Sequence, residues 1–192
     1  GDVSEHNDFG NWRPATKSGF KWHDLNADGI WQQPAEPGLK GFTIYVDYND
    51  NDQLDGDEPY AMTMTGGAYT ITGIKPGTWK VKEIQAGWQQ SYPSNGYHEE
   101  LFRSGDELIN NDFGNWKWAS KAGYKFHDLN ANGRWDLNES GLEGWTIFID
   151  INDNGTFEPT VDKYGVTDSS GNYSISMIKP GIYDVYEFMG DQ

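Results

Sequence analysis

The segment GFTIYVDYNDNDQLDGDE, Gly41–Glu58, contains both patterns that decide the fold. Its first part, FTIYVD, alternates apolar and polar residues and is rich in β-branched and aromatic types, which predicts a strand with one buried face. Its second part, DYNDNDQLDGDE, places Asp and Asn at alternate positions and ends in Glu, which is typical of a loop that binds a hard cation. We therefore expect strands joined by cation-binding loops.

Both patterns recur because the chain contains an internal repeat. The motif NDFGNW occurs at Asn7–Trp12 and again at Asn111–Trp116, a shift of 104 residues. A period of this length indicates tandem domains, since solenoid repeats are much shorter. The repeat predicts a first domain at residues 13–116, a second at 117–192 that lacks its last strands, and a leading segment, 1–12, that is the terminal strand of a preceding or neighbouring unit.

Further strands are predicted at YTITGI and TWKVKEI and at their counterparts in the second repeat. The dipeptides Pro76-Gly77 and Pro180-Gly181 mark turns before the next strand. No segment keeps a helical period over ten or more residues. Many short strands with frequent turns predict an all-β fold of two tandem antiparallel β-sandwich domains.

The composition limits the functions that are open to the chain. It has 30 acidic and 14 basic residues, for a net charge of −16, which argues against a nucleic-acid partner. The lack of cysteine excludes disulfides, zinc–thiolate sites and thiol nucleophiles, and an aromatic content of 15% argues against disorder. No apolar run reaches the length that spans a membrane.

Four segments, two in each repeat, fit the twelve-position calcium loop of EF-hands to different degrees. The fit is closest for DLNANGRWDLNE and DYNDNDQLDGDE, although Asp52 replaces the usual glycine, which is tolerable because Asp can adopt left-handed backbone geometry. In the other two the last acid comes one residue late, and a one-residue bulge would let it reach the ion. The candidate ligands are Asp24, Asn26, Asp28, Ile30 and Glu36; Asp47, Asn49, Asn51, Gln53, Asp55 and Glu58; Asp128, Asn130, Asn132, Arg134, Asp136 and Glu139; and Asp150, Asn152, Asn154, Thr156, Glu158 and Asp162.

Calcium suits these loops because it takes six to eight oxygen ligands in flexible geometry. Magnesium prefers fewer protein ligands, and the lack of Cys and of clustered His argues against softer metals. The alternative is that Asn, Asp and Gly only populate turns. Four loops that each end in an acid favour calcium, at two or more ions per domain, with binding energy that adds to folding energy.

The segments DLNANGRWDLNESGLEG and IKPGIYDV, together with the NDFGNW motif, resemble SdrD B-like repeats. These are Cna B-type, prealbumin-like domains of prokaryotic surface proteins and adhesins. The resemblance implies a calcium-stabilised stalk, spacer or filament subunit, secreted or anchored at the cell wall, whose partners are adjacent repeats or neighbouring copies. It implies no enzyme.

Related Cna B-type domains form an intramolecular bond between Lys and Asn or Asp, assisted by a buried Glu. The resemblance therefore implies Lys21, Glu83 and either Asn111 or Asp112 as candidates for an isopeptide bond. The alternative is that Lys21 is an exposed lysine on an alternating strand.

The incomplete second repeat raises a hypothesis about assembly. It has no counterpart of Gln89–Trp116, and Val3–Trp12 of a neighbouring chain would complete it by strand addition, head to tail. The alternative is that the boundaries reflect cloning or proteolysis.

A different class of function is a carbohydrate-binding accessory module of a secreted enzyme. Nine tryptophans are present, and Trp12, Trp88, Trp116 and Trp118 near strand ends would form a stacking platform for a glycan or a host cell-surface ligand. Enzyme motifs such as HExxH, a phosphate loop or a nucleophile elbow are not found in the sequence, so we expect no catalysis.

Overall fold

The computed structural model describes residues 8–85 and 87–188. Within them the chain is all-β and contains no helix, so no membrane-spanning helix is found there. The chain separates into two compact units, the first ending at Trp116 and the second starting at Lys117. That these units are two domains of the expected type stays a prediction.

The first unit is built from short strands separated by Gly-, Asn- and Asp-rich turns. The segments FTIYVD, YTITGI and TWKVKEI form strands, as their alternation predicts. Its described strands are β1 (Ala15–His23), β2 (Thr43–Asp47), β3 (Tyr60–Met62), β4 (Ala68–Ile74), β5 (Gly77–Glu83), β6 (Gln89–Tyr92), β7 (His98–Phe102), β8 (Glu107–Leu108) and β9 (Phe113–Trp116).

Two sheets enclose one core in this unit. One sheet has the order β4-β1-β9-β6 with β8 beside β1, and the other has the order β3-β2-β5-β7. Each contributes its inward residues to a common cluster, in which residues on alternate positions of a strand share a face. The buried members are Ala15, Ile44, Val46, Tyr69, Ile71, Ile74, Val81, Phe102 and Phe113.

The expectation of purely antiparallel sheets is wrong for one strand. β1 pairs with β4 antiparallel but with β8 and β9 in parallel, with Lys21 opposite Phe113 and His23 opposite Asn115. The physical reason is that only a tight hairpin forces neighbouring strands to be antiparallel, and the long chain segment between β1 and β9 lets β9 enter the sheet parallel to β1 and antiparallel to β6. All four residues of β9 are buried.

The second unit repeats part of this plan. Its described strands are β10 (Ala119–Tyr124), β11 (Thr146–Ile149), β12 (Lys163–Val166), β13 (Asn172–Ile178) and β14 (Val185–Phe188). They form a β10-β13 pair and a three-stranded sheet, β12-β11-β14, all antiparallel. The buried core cluster consists of Ile147, Ile149, Ile175 and Ile178.

The part of the leading segment that the structure describes lacks strand structure and exposes Phe9. Residues 1–7 lie outside the described residues, and residues 8–14 form no strand. The Phe9 side chain is 91% exposed, whereas Phe113, at the same place in the second NDFGNW motif, is fully buried in β9.

Candidate functional site

Three of the four predicted loops begin at or directly after the last residue of a strand, and the third along the chain begins a few residues beyond one. We call them loop 1 (residues 24–36), loop 2 (47–58), loop 3 (128–139) and loop 4 (150–162). Loops 1 and 3 follow the β1 and β10 segments, and loops 2 and 4 follow β2 and β11. The first aspartates of loops 1, 2 and 4 are buried where their strands end, and that of loop 3, Asp128, is half-buried.

The first aspartate of every loop organises the turn that follows it. One carboxylate oxygen accepts the N–H of the residue five positions later, and the backbone at the fourth and sixth positions adopts positive φ. Asp52 does so with a φ of 62°, as predicted for an aspartate in the place of glycine. The N–H···O distances are 2.8 Å for Gly29 to Asp24, 3.1 Å for Asp52 to Asp47, 2.7 Å for Gly133 to Asp128 and 2.6 Å for Gly155 to Asp150.

In loops 3 and 4 these N–H groups favour the ionised first aspartate. The N–H of Gly133 lowers the pKa of Asp128. Burial opposes the charge of Asp150, but the N–H groups of Gly155 and of its neighbours outweigh burial and lower the pKa of that carboxyl as well. The ionised carboxylates of Asp128 and Asp150 are what a cation would require.

The last acid of each loop is buried and closes the loop onto its own backbone. Glu58 accepts the N–H of Tyr48 at 2.7 Å and the N–H of Asp55 at 2.9 Å, which are the second and ninth positions of loop 2. The same two N–H groups are taken by the last acid in the other three loops. The acceptors and their N–H donors are Glu36 for Leu25 and Gln32 in loop 1; Glu139 for Leu129 and Asp136 in loop 3; and Asp162 for Ile151 and Glu158 in loop 4.

The late acids of loops 1 and 4 therefore occupy the same place as the others. In loops 2 and 3 the last acid closes a three-residue turn, from the N–H of Glu58 to the carbonyl of Asp55 and at the equivalent positions of loop 3. In loops 1 and 4 the turn is one residue wider: the N–H of Glu36 bonds to Gln32 and that of Asp162 bonds to Glu158. The wider turn accommodates the extra residue. It has the effect that we expect of a one-residue bulge, because it brings the late acid to the same place as in loops 2 and 3.

The middle positions complete this arrangement, which we call the loop frame. In loop 2 the side-chain amides of Asn49 and Asn51 donate to Asp55 at 2.8 and 2.9 Å, and the same contacts recur in loops 3 and 4. The side-chain oxygen of the fifth position accepts the N–H of the seventh in all four loops, namely that of Ile30, Gln53, Arg134 and Thr156.

Loop 1 departs from this pattern at its ninth position, which is not among the candidate ligands predicted from the sequence. Its ninth residue is Gln32, and the Gln32 amide donates to Asp28 at 2.7 Å. The carboxylate at the centre of loop 1 therefore comes from the fifth position, whereas loops 2, 3 and 4 supply it from the ninth. Counting nine residues from Asp24 would have identified Gln32.

Loop 2 also contains three carboxylates that lie close together, at its first, fourth and sixth positions. Oxygens of Asp47, Asp50 and Asp52 lie within 4.8 Å of one another, a spacing that could hold a metal ion. The ammonium of Lys82, on β5, lies 2.8 Å from Asp47, 3.3 Å from Asp50 and 2.5 Å from Asp52. Burial opposes the charge on Lys82, but its hydrogen bonds to the three aspartates raise its pKa.

A second buried charged group lies in the interior of the first unit. Lys21 Nζ is 3.2 Å from Glu83 Oε2, and both side chains are fully buried. Burial lowers the pKa of Lys21 to about 8, and burial raises the pKa of Glu83, against the opposing effects of Lys21 and of the Asn115 carboxamide that faces it. Burial thus brings both groups closer to their uncharged forms. The exposed-lysine alternative for Lys21 is wrong.

The carboxamide beside this pair is Asn115, which the sequence reading did not include. Among the described residues, no hydrogen bond of normal geometry reaches either Glu83 oxygen or the Asn115 carboxamide. The two residues expected from the resemblance lie elsewhere in the contact pattern: Asp112 accepts the N–H of Phe20, and the N–H of Asn111 bonds to Ser18. In the second unit, Lys125 lies 2.7 Å from Glu187, with side chains that are 21% and 50% exposed.

The tryptophans of the predicted glycan platform are in different environments. Trp116 is buried, and the ring of Trp88 packs edge-on against His23 and Phe42 at centroid distances of 4.9 and 5.6 Å. Trp12 and Trp118 are exposed. The packing of Trp88 and Trp116 within the fold does not favour a shared stacking surface.

Comparison with curated proteins gives relatives of one kind. The chain is 29% identical over 181 residues to serine-aspartate repeat-containing protein D of Staphylococcus aureus strain Newman, and 26% identical over 187 residues to serine-aspartate repeat-containing protein I of Staphylococcus saprophyticus. These matches cover 85% and 87% of the chain. This chain is similar to serine-aspartate repeat surface proteins. The resemblance expected from the sequence is thereby confirmed.

The match is to a small part of each relative. The chain spans 14% of the first of these serine-aspartate repeat proteins and 9% of the second. The relatives are extracellular proteins, in agreement with the expected location. A scan of family models finds no match.

Among solved structures, the chain overlaps the Bacillus anthracis TIE protein with a TM-score of 0.42 at 16% identity, over 92% of this chain and 31% of that one. A streptococcal ancillary pilin overlaps with a TM-score of 0.41 at 13% identity, over 92% of this chain and 54% of that one.

Proposed function

We propose that this chain is a structural module of an extracellular protein in which loops 1 to 4 each bind one calcium ion and so stiffen the strands that they follow. The observation that carries the proposal is the loop frame. It recurs in all four loops with the first and last acids in the same relation to the backbone, including the two loops whose last acid comes late.

The donor set of each loop fits calcium. In loop 3 the carboxylates of Asp128, Asp136 and Glu139, the side-chain oxygens of Asn130 and Asn132 and the Arg134 carbonyl would supply at least six oxygens. The asparagine amides now donate to Asp136, and a half-turn of each amide would present oxygen in place of nitrogen. Calcium would then replace the hydrogen bonds that the Asp136 carboxylate accepts from the two asparagine amides.

Two neighbouring acids of loop 2 offer a matched test. Glu58 is buried and closes the loop frame, whereas Asp57 is exposed and takes no part in it. Glu58→Gln and Asp57→Asn each remove one negative charge from the same loop. We expect calorimetric titration with calcium to give one ion fewer, or a site weakened about tenfold or more, for Glu58→Gln only. Equal binding by both variants would contradict the proposal.

A second candidate function is a covalent cross-link inside the first unit, favoured by the buried Lys21–Glu83 pair against Asn115. The Lys21 amine would attack the Asn115 carboxamide carbon. The new amide bond forms as the Cγ–Nδ2 bond breaks, and Glu83 carries the proton from the amine to the departing nitrogen, which leaves as ammonia. The low pKa of Lys21, near 8, provides the neutral amine that the step needs.

The intact mass of the chain tests the cross-link. We expect a mass lower than that of the sequence by one ammonia in the wild type and in Asn111→Ala, and the full mass in Asn115→Ala and in Glu83→Ala. A wild-type mass equal to that of the sequence would remove the cross-link and leave the calcium proposal untouched.

Assembly by strand complementation remains part of the proposal. Residues 8–12 share the motif that forms β9, and Phe9 is exposed where Phe113 is buried. Among the described strands β10 pairs with β13 alone, so its other edge could accept such a segment in parallel, as β1 accepts β9. Sedimentation over a wide concentration range tests this: we expect association that Phe9→Ser weakens, and a strict monomer would contradict it.

A further inference from the structure

Loop 2 differs from the other loops in having a lysine on its first aspartate. In loops 1, 3 and 4 the carboxylate oxygen that accepts the N–H of the sixth residue takes no lysine among the described residues. In loop 2 that oxygen of Asp47 accepts the N–H of Asp52 and also the ammonium of Lys82. The first aspartate of loop 2 is thus already neutralised by a cation that belongs to the protein.

The lysine is placed by the sheet and not by the loop. Lys82 lies on β5 opposite Tyr45 of β2, so its side chain rises from the strand beside the one that leads into loop 2. Lys80, two residues before it on the same face, binds Asp50 at 2.6 Å. Two lysines of β5 therefore hold three aspartates of loop 2.

The second unit has no such pair at the equivalent strand. By the repeat, Lys80 and Lys82 correspond to Asp184 and Tyr186 on or next to β14, where Tyr186 lies opposite Phe148. Loop 4 keeps the same loop frame as loop 2 without a lysine at either position. The comparison separates the loop frame, which both loops share, from the lysine, which only loop 2 has.

From this we infer that Lys82 acts as a tethered counter-ion that sets the calcium affinity of loop 2 below that of loop 4 and holds loop 2 in place when no ion is bound. The inference rests on the proposed calcium binding. The Asp47 oxygen that accepts the N–H groups of Asp50 and Asn51 is not bonded to Lys82, so it stays available to a calcium ion. The lysine therefore weakens calcium binding by charge repulsion and does not block the site.

The test uses the full chain and follows the backbone amide of the sixth residue of each loop by NMR during titration with calcium chloride. The reporters are Gly29, Asp52, Gly133 and Gly155. The variants are Lys82→Met, which removes the charge at similar length, Lys82→Gln, which also keeps a donor for Asp47, and Lys82→Arg, which keeps the charge. Tyr186→Met is the matched control in the second unit.

In the wild type we expect the Asp52 amide to titrate at higher calcium concentration than Gly155. Lys82→Gln and Lys82→Met should lower the Asp52 midpoint about tenfold or more. Lys82→Arg should leave the Asp52 midpoint unchanged, and Tyr186→Met should leave the Gly155 midpoint unchanged. In chelator, Lys82→Met should show faster hydrogen exchange at Asp52 than the wild type.

An Asp52 midpoint that stays the same or rises in Lys82→Gln overturns the inference while the other amides still report calcium. If none of the four amides responds to calcium in any protein, the proposed calcium binding falls and the inference falls with it. Lys82→Gln keeps a hydrogen-bond donor for Asp47, so a failure of Lys82→Met to fold does not decide the question.

Discussion

The two units have the same kind of loop, but among the described residues their buried cores differ in size. In the first unit, nine core residues from two sheets are buried together, and the side chains of Lys21 and Glu83 are fully buried, with the Lys21 ammonium bonded to the Phe113 carbonyl of β9. In the second, four isoleucines form the buried cluster among the described residues, and the equivalent pair, Lys125 and Glu187, is partly exposed. The loop frame is nevertheless the same in both.

The difference separates local structure from long-range structure. The loop frame depends on hydrogen bonds between residues at most eleven positions apart, so it forms locally once the strand before it has placed the first aspartate. The buried ion pair depends on β9, about ninety residues away from β1 in sequence, because Lys21 pairs with Phe113 of that strand and its ammonium donates to the Phe113 carbonyl at 3.1 Å. A change to the pair should therefore affect the units unequally, and a change to the loop frame should affect them equally.

The largest expected difference between the units comes from removing one lysine from each. In a background that carries Asn115→Ala, so that no cross-link forms, Lys21→Met leaves Glu83 as an uncompensated buried carboxylate and should lower the free energy of unfolding of the first unit by about 3–5 kcal/mol. Lys125→Met breaks a partly exposed pair, which water screens, and should cost less than about 1 kcal/mol. Urea unfolding followed by hydrogen exchange in each unit measures both, and similar losses would contradict the comparison.

The next effect should be the same in both units. Glu58→Ala and Glu139→Ala each leave two loop N–H groups without their acceptor, and in chelator each should lower the free energy of unfolding of its own unit by about 2 kcal/mol. Asp57→Ala, exposed and outside the loop frame, is the control and should cost less than about 0.5 kcal/mol. A loss in one unit only would mean that the loop frame depends on the core beneath it.

A smaller effect should appear with pH and only in the first unit. The folded pKa of Lys21 is about 8, below the value of about 10.4 expected when unfolded. Between these values the unfolded chain binds more protons, so the stability of Asn115→Ala should rise with pH, by about 1–3 kcal/mol, relative to the double variant Lys21→Met/Asn115→Ala. Chemical denaturation from pH 7.5 to about 10.5 measures it. A stability difference between the two variants that does not change with pH would contradict the claim that Lys21 is buried with a lowered pKa.

Much of the fold and most of the loop geometry could be predicted from the sequence because both are local. Alternation identified β2, β4 and β5, and the spacing of acids placed Glu58 and Glu139 at loop ends where the structure has them. The late acids Glu36 and Asp162 were predicted with a bulge, and a turn widened by one residue has that effect.

The features that the sequence left open depend on pairing between distant strands. Alternation places Asn111 and Asn115 on the same face of an extended segment, and only the parallel register of β9 on β1 brings Asn115 to Glu83. Lys82 meets Asp47 because β5 pairs with β2 in one register, which a single sequence does not specify. The parallel direction of β9 was missed for the same reason.

The central claim is that the four loops bind calcium and add its binding energy to the stability of the fold. Thermal unfolding of the full chain in calcium and then in excess chelator, with the bound metal measured on the same sample, tests it most directly. We expect bound calcium before chelation and a midpoint that falls by roughly ten degrees or more when the ions are removed. A midpoint that is indifferent to chelation, in a protein that carries no calcium, would contradict the account.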